Sequence, residues 1–524
     1  MSKKTILIFL ILIFASCANS LNIVFYINVI AQTHVSFFTK SINLLLSRGH
    51  NIDIVYAKLN DRVILKDITG VKNVYEIEFA EKNHWHNNMA YLGNPFIKPS
   101  RPFLDLPTYD GLALELCDIA VKDDNLLNFL KKGEYDIGIF SDYDPCAAIM
   151  MRAANIPSTA ALLPTAMFQN HILNAGLPSP SSIYGTTIVP ENDGSFYDKM
   201  FHFIKSGYNI FWRLPKFYSG FDSLTRAKFG KSFPSTKTIE EEVDILFVNS
   251  NEIIERPRPI SHKIKYIGGI GVPKAKPLSK EIDELLNTSS KGTVIFSFGT
   301  QIPTKRVPIE IRRNFVKAFK KFPDFLFLWK YDNVTEDQEL FKDANNVKRI
   351  EWLPQTDLLQ DERVKCFISH MGMNSFIETS ILGIPVLSIP LIVDQQHNSQ
   401  NAQNRETGII VDRDSLTSEN IEKALSKLLF DSKYMENAKK IGKLMRDKPE
   451  QSEKLFIEWL EYVGNNPGFH NIVNLPNIST FFYYSGDVIL FVFSFIVFTT
   501  WFLYRFVFSK IRISISSSKK IKDN

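Results

Sequence analysis

The chain has 524 residues, too many for one ordinary hydrophobic core, so at least two domains are expected. Hydrophobic residues make up 45% and charged residues 22%, a balance that excludes an intrinsically disordered chain. The net charge of +5 collects near the C-terminus, so the body has no electrostatic footprint for nucleic acid.

The N-terminus, "MSKKTILIFLILIFASCANS", has two lysines, an apolar run from Ile6 to Ala15, and small residues Ala18 and Ser20 at a cleavage site. This pattern predicts a signal peptide over residues 1–20. Removing it takes Cys17 and leaves Cys117, Cys146 and Cys366. Three cysteines argue against a disulfide framework, although one pair stays open, and no metal-ligand spacing is present.

"LNIVFYINVI" is a continuous apolar run, as in a strand buried on both faces. "HVSFFTKSINLLLSRGH" has apolar residues at helical spacing, and "NIDIVYA" is a second strand. Such a βαβ unit implies a parallel sheet. A later strand, "YDIGIF", leads into "SDYDPC". Residues from Ala80 to Pro107 and from Pro164 to Pro234 are expected to be loop-rich and aromatic, suited to an acceptor pocket. The pair in "HWH" (His84 and His86) has no third metal ligand in view and is expected to line loop or pocket. "GGIG" at Gly268–Gly271 lacks a flanking βαβ unit and is expected to be a hinge.

A Pro- and Lys-rich stretch from Lys274 to Lys280 then separates a second α/β series. "GTVIFSFGT" and "FLFLWKY" are its first strands; "VKCFISH", a helix near Ser375 and "PVLSIPL" follow. Two doubly wound α/β domains facing a cleft are expected, over residues 21–270 and 271–465. Ligands in such sheets sit beyond the carboxyl ends of the strands. "VILFVFSFIVFTTWFLY" (Val488–Tyr504) is uncharged over 17 residues. It meets the roughly 17–25 needed to span a bilayer, and a transmembrane helix is expected over residues 485–508. The basic tail, residues 509–524, is then cytoplasmic and the body lumenal. Lys520 and Lys522 in "KIKDN" are spaced as in a dilysine-type endoplasmic-reticulum retrieval signal. Sequons at Asn287, Asn333 and Asn477 are compatible with a glycosylated body.

The stretch "FISHMGMNSFIETS" carries the densest chemistry. His370 ends a strand, Gly372 permits close backbone approach, and the following helix aims free N–H groups at the turn. A diphosphate fits there. Asn374 and Glu378 share a helix face, which places Glu378 to hold a ribose diol. The bland alternative is a capping box between Ser375 and Glu378. Upstream, "EWLPQTDLL" offers Trp352 to stack on a base and Gln355 to read its edge. Downstream, "PLIVDQQHN" offers Asp394 and Gln395 to sugar hydroxyls.

Together, "WLPQTDLL…CFISHMGMNSFIETSILGIPVLSIPLIVDQQHN" resembles, without gaps, the signature of the UDP-glycosyltransferase (glucuronosyltransferase-type) family. The resemblance implies a GT-B fold, two Rossmann-like domains plus one C-terminal span. It implies inverting, metal-independent transfer of a hexose or glucuronic acid from a UDP-sugar to a hydroxyl of a small lipophilic acceptor. No cofactor is expected, since the UDP-sugar is a co-substrate. On this resemblance Trp352 and Gln355 meet uracil, and Glu378 holds the ribose. His370, Gly372, Asn374 and Ser375 bind the diphosphate, approached also by Ser297, Gly299 and Thr300. Asp394 and Gln395 grip the sugar. Met371 and Met373 stand where the family often has small residues, which is expected to reshape the turn.

His34 stands at the family's catalytic-base position, just after the first strand. The family's acidic partner falls on Ser141 in a gap-free comparison. A one-residue shift brings in Asp142, the expected partner of His34; the other reading has Asp142 and Asp144 capping a turn. Arg258 is a candidate cation for a glucuronate carboxylate, and UDP-glucose remains equally open. A catalytically weakened UDP-sugar-binding homologue is the alternative function. Localisation in the endoplasmic-reticulum membrane and homo- or hetero-oligomers are further expectations.

Overall fold

Runs of apolar residues become strands buried on both faces, and the chain builds two parallel sheets from them. In the computed structural model the described residues are 20–28, 32–57, 64–65, 68–78, 94–96, 102–177, 179, 195–270, 272, 276–300, 302–474, 480–483 and 485–522. The expected signal peptide, the histidines of "HWH" and the Asn477 sequon lie outside them.

The first sheet holds β1 (Asn22–Ile27), β2 (Asn51–Ala57), β3 (Asn73–Ile77), β4 (Ile137–Phe140), β5 (Thr159–Leu163), β6 (Ile245–Val248) and β7 (Ile264–Tyr266) in the order 3-2-1-4-5-6-7. The second holds β8 (Gly292–Ser297), β9 (Phe325–Lys330), β10 (Val347–Ile350), β11 (Val364–Ser369), β12 (Val386–Ser388) and β13 (Gly408–Ile410) in the order 10-9-8-11-12-13. Pairings within both sheets are parallel. Alternate residues serve opposite faces. Val24 and Tyr26 join one apolar cluster of the first sheet, and Ile23, Phe25 and Ile27 the other. Val294 and Phe296 likewise part from Ile295.

Each strand order reverses once: between β1 and β4, and between β8 and β11. At such a reversal the loops diverge and leave a crevice beyond the strand ends. The loop after β1 leads into α1 (Gln32–Ser47), and the loop after β4 into α2 (Cys146–Ala153). The loop after β11 leads into α3 (Met373–Leu382). These junctions carry the candidate residues.

The chain then returns to its start. Helix Ser452–Gly464 buries Phe456, Leu460 and Val463 against the first sheet, and Ser158 donates a hydrogen bond to the Val463 carbonyl. Cys117 is bonded to Cys146, which ties helix Pro102–Lys122 to the first residue of α2 and leaves Cys366 buried and free. The stretch from Pro164 to Pro234, expected to be loop-rich, contains helices Phe196–Tyr208 and Leu214–Phe229 with a π-helical turn, Asn209–Arg213, between them. Residues 474–524 form a second compact unit. It holds helix Gly486–Lys522, whose first 23 residues, Gly486–Phe508, are long and apolar enough to cross a membrane.

Candidate active site

At the first reversal His34 sits in the opening turn of α1. Burial holds its imidazole down at about 4, so the ring is neutral near pH 7. Its hydrogen-bond partner among the described residues is Tyr143, whose hydroxyl lies 3.0 Å from Nδ1 and 3.4 Å from Nε2. The two rings stack at 5.4 Å. Burial pushes the Tyr143 phenol well up, and the Asp394 carboxylate pushes it further, so the phenol keeps its proton.

The expected partner, Asp142, faces elsewhere. Its carboxylate lies 3.5 Å from His171 Nε2, and its carbonyl 2.8 Å from the same nitrogen. Burial raises its pKa, with His171, Glu240 and Lys263 opposing. Asp144 accepts from the Cys146 amide at 2.9 Å and from Asn28 at 2.6 Å. Both acids are thus spent inside the protein, Asp144 as the turn cap of the second reading. The reason is the turn itself: three successive side chains cannot share one side, and Tyr143 takes the side facing His34. Sequence reasoning passed over Tyr143 because it sought a carboxylate; the aromatic residue between two acids was the available signal.

At the second reversal β8 ends in Ser297, whose hydroxyl accepts from the Gly299 amide at 3.1 Å. Gly299 has φ +76°, and a Cβ there would meet the His370 ring at 2.7 Å. A Cβ at Gly372 would meet the same ring at 2.8 Å. The imidazole therefore fits only because two glycines flank it. Its Nδ1 is buried with no hydrogen-bond partner among the described residues, and burial holds the ring down at about 4. A buried polar atom of this kind is suited to a hydrogen bond with a bound group or a water. Thr300 is exposed beside this turn.

Helix α3 starts with Gly372 at its cap position and no side-chain cap. Its first amides are open to an anion, and the helix dipole favours one there. The capping box does not form, because Glu378 accepts from Gln355 Nε2 at 2.7 Å and from Thr356 at 3.3 Å. Burial raises the Glu378 pKa against these bonds and the nearby Lys40 ammonium on α1. Gln355 also reaches the Ser375 hydroxyl at 3.4 Å. Trp352 is 73% exposed, an indole face open to a planar ring.

Met371 and Met373, expected to reshape the turn, pack their side chains into the core beneath it. Met371 takes a left-handed φ of +61°, held by its amide on Ser369 Oγ and its carbonyl on Asn398. Asn398 also donates to Asp394 at 3.0 Å, and burial pushes Asp394 up to about 6. Gln395 spends its carbonyl oxygen on the Leu391 and Ile392 amides, which leaves its NH2 as the polar handle. Arg258 lies 3.8 Å from Glu255, which also meets His397 at 2.6 Å.

Asn374 joins the two reversals. It accepts from Asn249, beyond β6, at 3.1 Å and donates to the Thr33 carbonyl at 3.3 Å. The helix start that suits a diphosphate is thus pinned one residue from His34. Such a cleft has a neutral imidazole on one wall and the uncapped amides of a helix start on the other. It suits attack by a hydroxyl on a carbon that loses a phosphate leaving group.

Residues 28–521 match the family model described as "UDP-glucoronosyl and UDP-glucosyl transferase". Human UDP-glucuronosyltransferase 1A6 is 26% identical over 466 residues, covering 86% of this chain and 84% of its own. UDP-glucosyltransferase 2 of Dactylopius coccus is 26% identical over 440 residues, covering 82% and 81%. Among solved structures, the spinosyn forosaminyltransferase SpnP superposes with a TM-score of 0.57 at 14% identity, covering 86% of this chain and 100% of its own. The glycotransferase of kitacinnamycin gives 0.58, also at 14% identity, covering 84% and 99%. These two support the GT-B fold alone.

Proposed function

The chain belongs to the UDP-glucuronosyl and UDP-glucosyl transferase family, and from that premise we propose an inverting, metal-independent transfer with His34 as general base. The donor is a UDP-sugar, and the acceptor is a hydroxyl of a small lipophilic molecule. One observation carries this reading: Asn374 holds the uncapped start of α3 beside Thr33, next to His34.

Trp352 stacks on uracil, with Gln355 at its edge, and Glu378 exchanges its present partners for the ribose. The amides of α3, the Gly372 and Gly299 backbones, and His370 take the diphosphate; Ser297, Thr300 and Ser375 border it. These donors are in place before charge develops on the leaving UDP. Asp394 and the Gln395 NH2 hold the sugar. With Nδ1–H donated to Tyr143, Nε2 keeps its lone pair for the acceptor proton. Tyr143 orients the ring without adding negative charge, so the imidazolium formed in the reaction is less stabilised than beside a carboxylate. Arg258, the candidate cation for a glucuronate carboxylate, is engaged with Glu255 at 3.8 Å, and the transferred sugar is a hexose or glucuronic acid.

Helix Gly486–Phe508 would anchor the protein in the endoplasmic-reticulum membrane with the body lumenal. The Cys117–Cys146 disulfide supports an oxidising compartment, and the Asn287 and Asn333 sequons are exposed. A screen of UDP-sugars against phenols and sterols, followed by UDP release, tests the function. Acceptor-dependent release should fall by at least about 100-fold in His34→Ala, the low end for loss of a general base. Nucleotide binding without transfer to any acceptor would assign the second reading, a weakened binding homologue.

A further inference from the structure

Helix Phe196–Tyr208 and the π-helical turn that continues it are built inside out. A helix on the surface of a soluble protein turns its apolar side inward and its polar side to water. Here the uncharged polar side chains face the protein. His202 and Ser206 are buried. Ser206 accepts from Gln169 at 2.5 Å, Asn209 donates to Gln169 at 2.8 Å, and Arg213 pairs with Asp110 at 2.9 Å. The large apolar side chains face out. Phe203 is 70% exposed, Phe211 76% and Trp212 66%, and Phe196, Tyr197 and Ile204 join them. A contiguous apolar face of this size is not left to water without a partner.

We propose that this face docks on a lipid bilayer and lies in its interface. Three observations select lipid over protein as the occupant. Phe, Tyr and Trp dominate the face, residues whose rings settle at the headgroup level. Lys199 and Lys216 are exposed at the ends, and the Lys205 ammonium sits 3.8 Å over the Phe201 ring, a cationic rim suited to anionic headgroups. The chain also carries its own membrane-spanning candidate, Gly486–Phe508. The polar inner side also has a consequence. It rests on Gln169, at the start of the helix whose His171 contacts Asp142, so the docking face is braced against the loop that carries Tyr143.

The test uses the full chain reconstituted into phosphatidylcholine–phosphatidylserine vesicles. Phe203→Cys and Phe211→Cys, each labelled with a nitrobenzoxadiazole probe, are compared with Lys131→Cys, an exposed site on helix Asp124–Lys132. The parent chain, labelled identically, is the blank, and unchanged melting curves establish folding. The expected result is blue-shifted emission at 203 and 211, quenched by doxyl-labelled lipid and shielded from iodide, with the reverse at 131. Iodide access at 203 and 211 without lipid quenching overturns the proposal. Shielding from iodide without lipid quenching also overturns it, in favour of a second copy covering the face. Resistance of the chain to carbonate extraction reports separately on the spanning helix. No readout involves turnover, so failure of the transferase reading leaves the result interpretable.

Discussion

On the proposed reading of His34 as general base, Tyr143 decides what kind of base it is. A carboxylate partner would raise the imidazole's affinity for a proton; a buried phenol fixes the ring and adds no charge. The ring is held down at about 4 by burial, so it stays unprotonated through the physiological range. If Asp394, pushed up to about 6, holds the sugar as proposed, its titration shapes the acid side of the activity profile. Above that pH its carboxylate accepts sugar hydroxyls; below it the protonated form loses an acceptor. kcat/KM should therefore fall as pH drops through about 6. In Asp394→Asn, activity should be lower throughout and the inflection near 6 should disappear. A steady-state pH profile of both proteins checks this. The sequence revealed the positions of His34, His370, Gly372 and Glu378, because strand ends and helix starts are written in apolar runs. It did not reveal which way Asp142, Tyr143 and Asp144 point. That depends on a turn whose sides are chosen by His171, Asn28 and the Cys146 amide, residues remote in sequence or set by backbone geometry.

At the scale of elements, the strands were legible because parallel strands buried on both faces need unbroken apolar runs. Helix Phe196–Tyr208 was not, because its outward apolar side and inward polar side reverse the pattern by which surface helices are recognised. The Cys117–Cys146 bond was also hidden, since a count of three says nothing about which two meet. Closing a loop across a sequence separation of 29 stabilises a fold by about 3–4 kcal/mol through the unfolded chain. Replacing both cysteines by serine should lower unfolding stability by about that amount in denaturant titration. Turnover should fall as well, since Cys146 opens α2 directly after the Tyr143 loop, while UDP affinity should hold.

At the scale of the molecule, two sheets present their reversal points to one cleft, and the chain recrosses to the first sheet with helix Ser452–Gly464. Asn374 then sets the register of the cleft by binding Asn249 and Thr33 from the opposite side. On the proposed reading, the base contributes nothing unless the leaving group is gripped across from it. Calorimetric titration of UDP into the full chain, beside Trp352→Ala and His370→Ala, examines that grip. Loss of a stacking aromatic costs about 1–3 kcal/mol per base, so Trp352→Ala should weaken UDP by about tenfold, with His370→Ala weakened as well. If the wild-type chain takes up no UDP, or if both variants bind it as the wild type does, the nucleotide lies elsewhere and this assignment of the cleft is wrong.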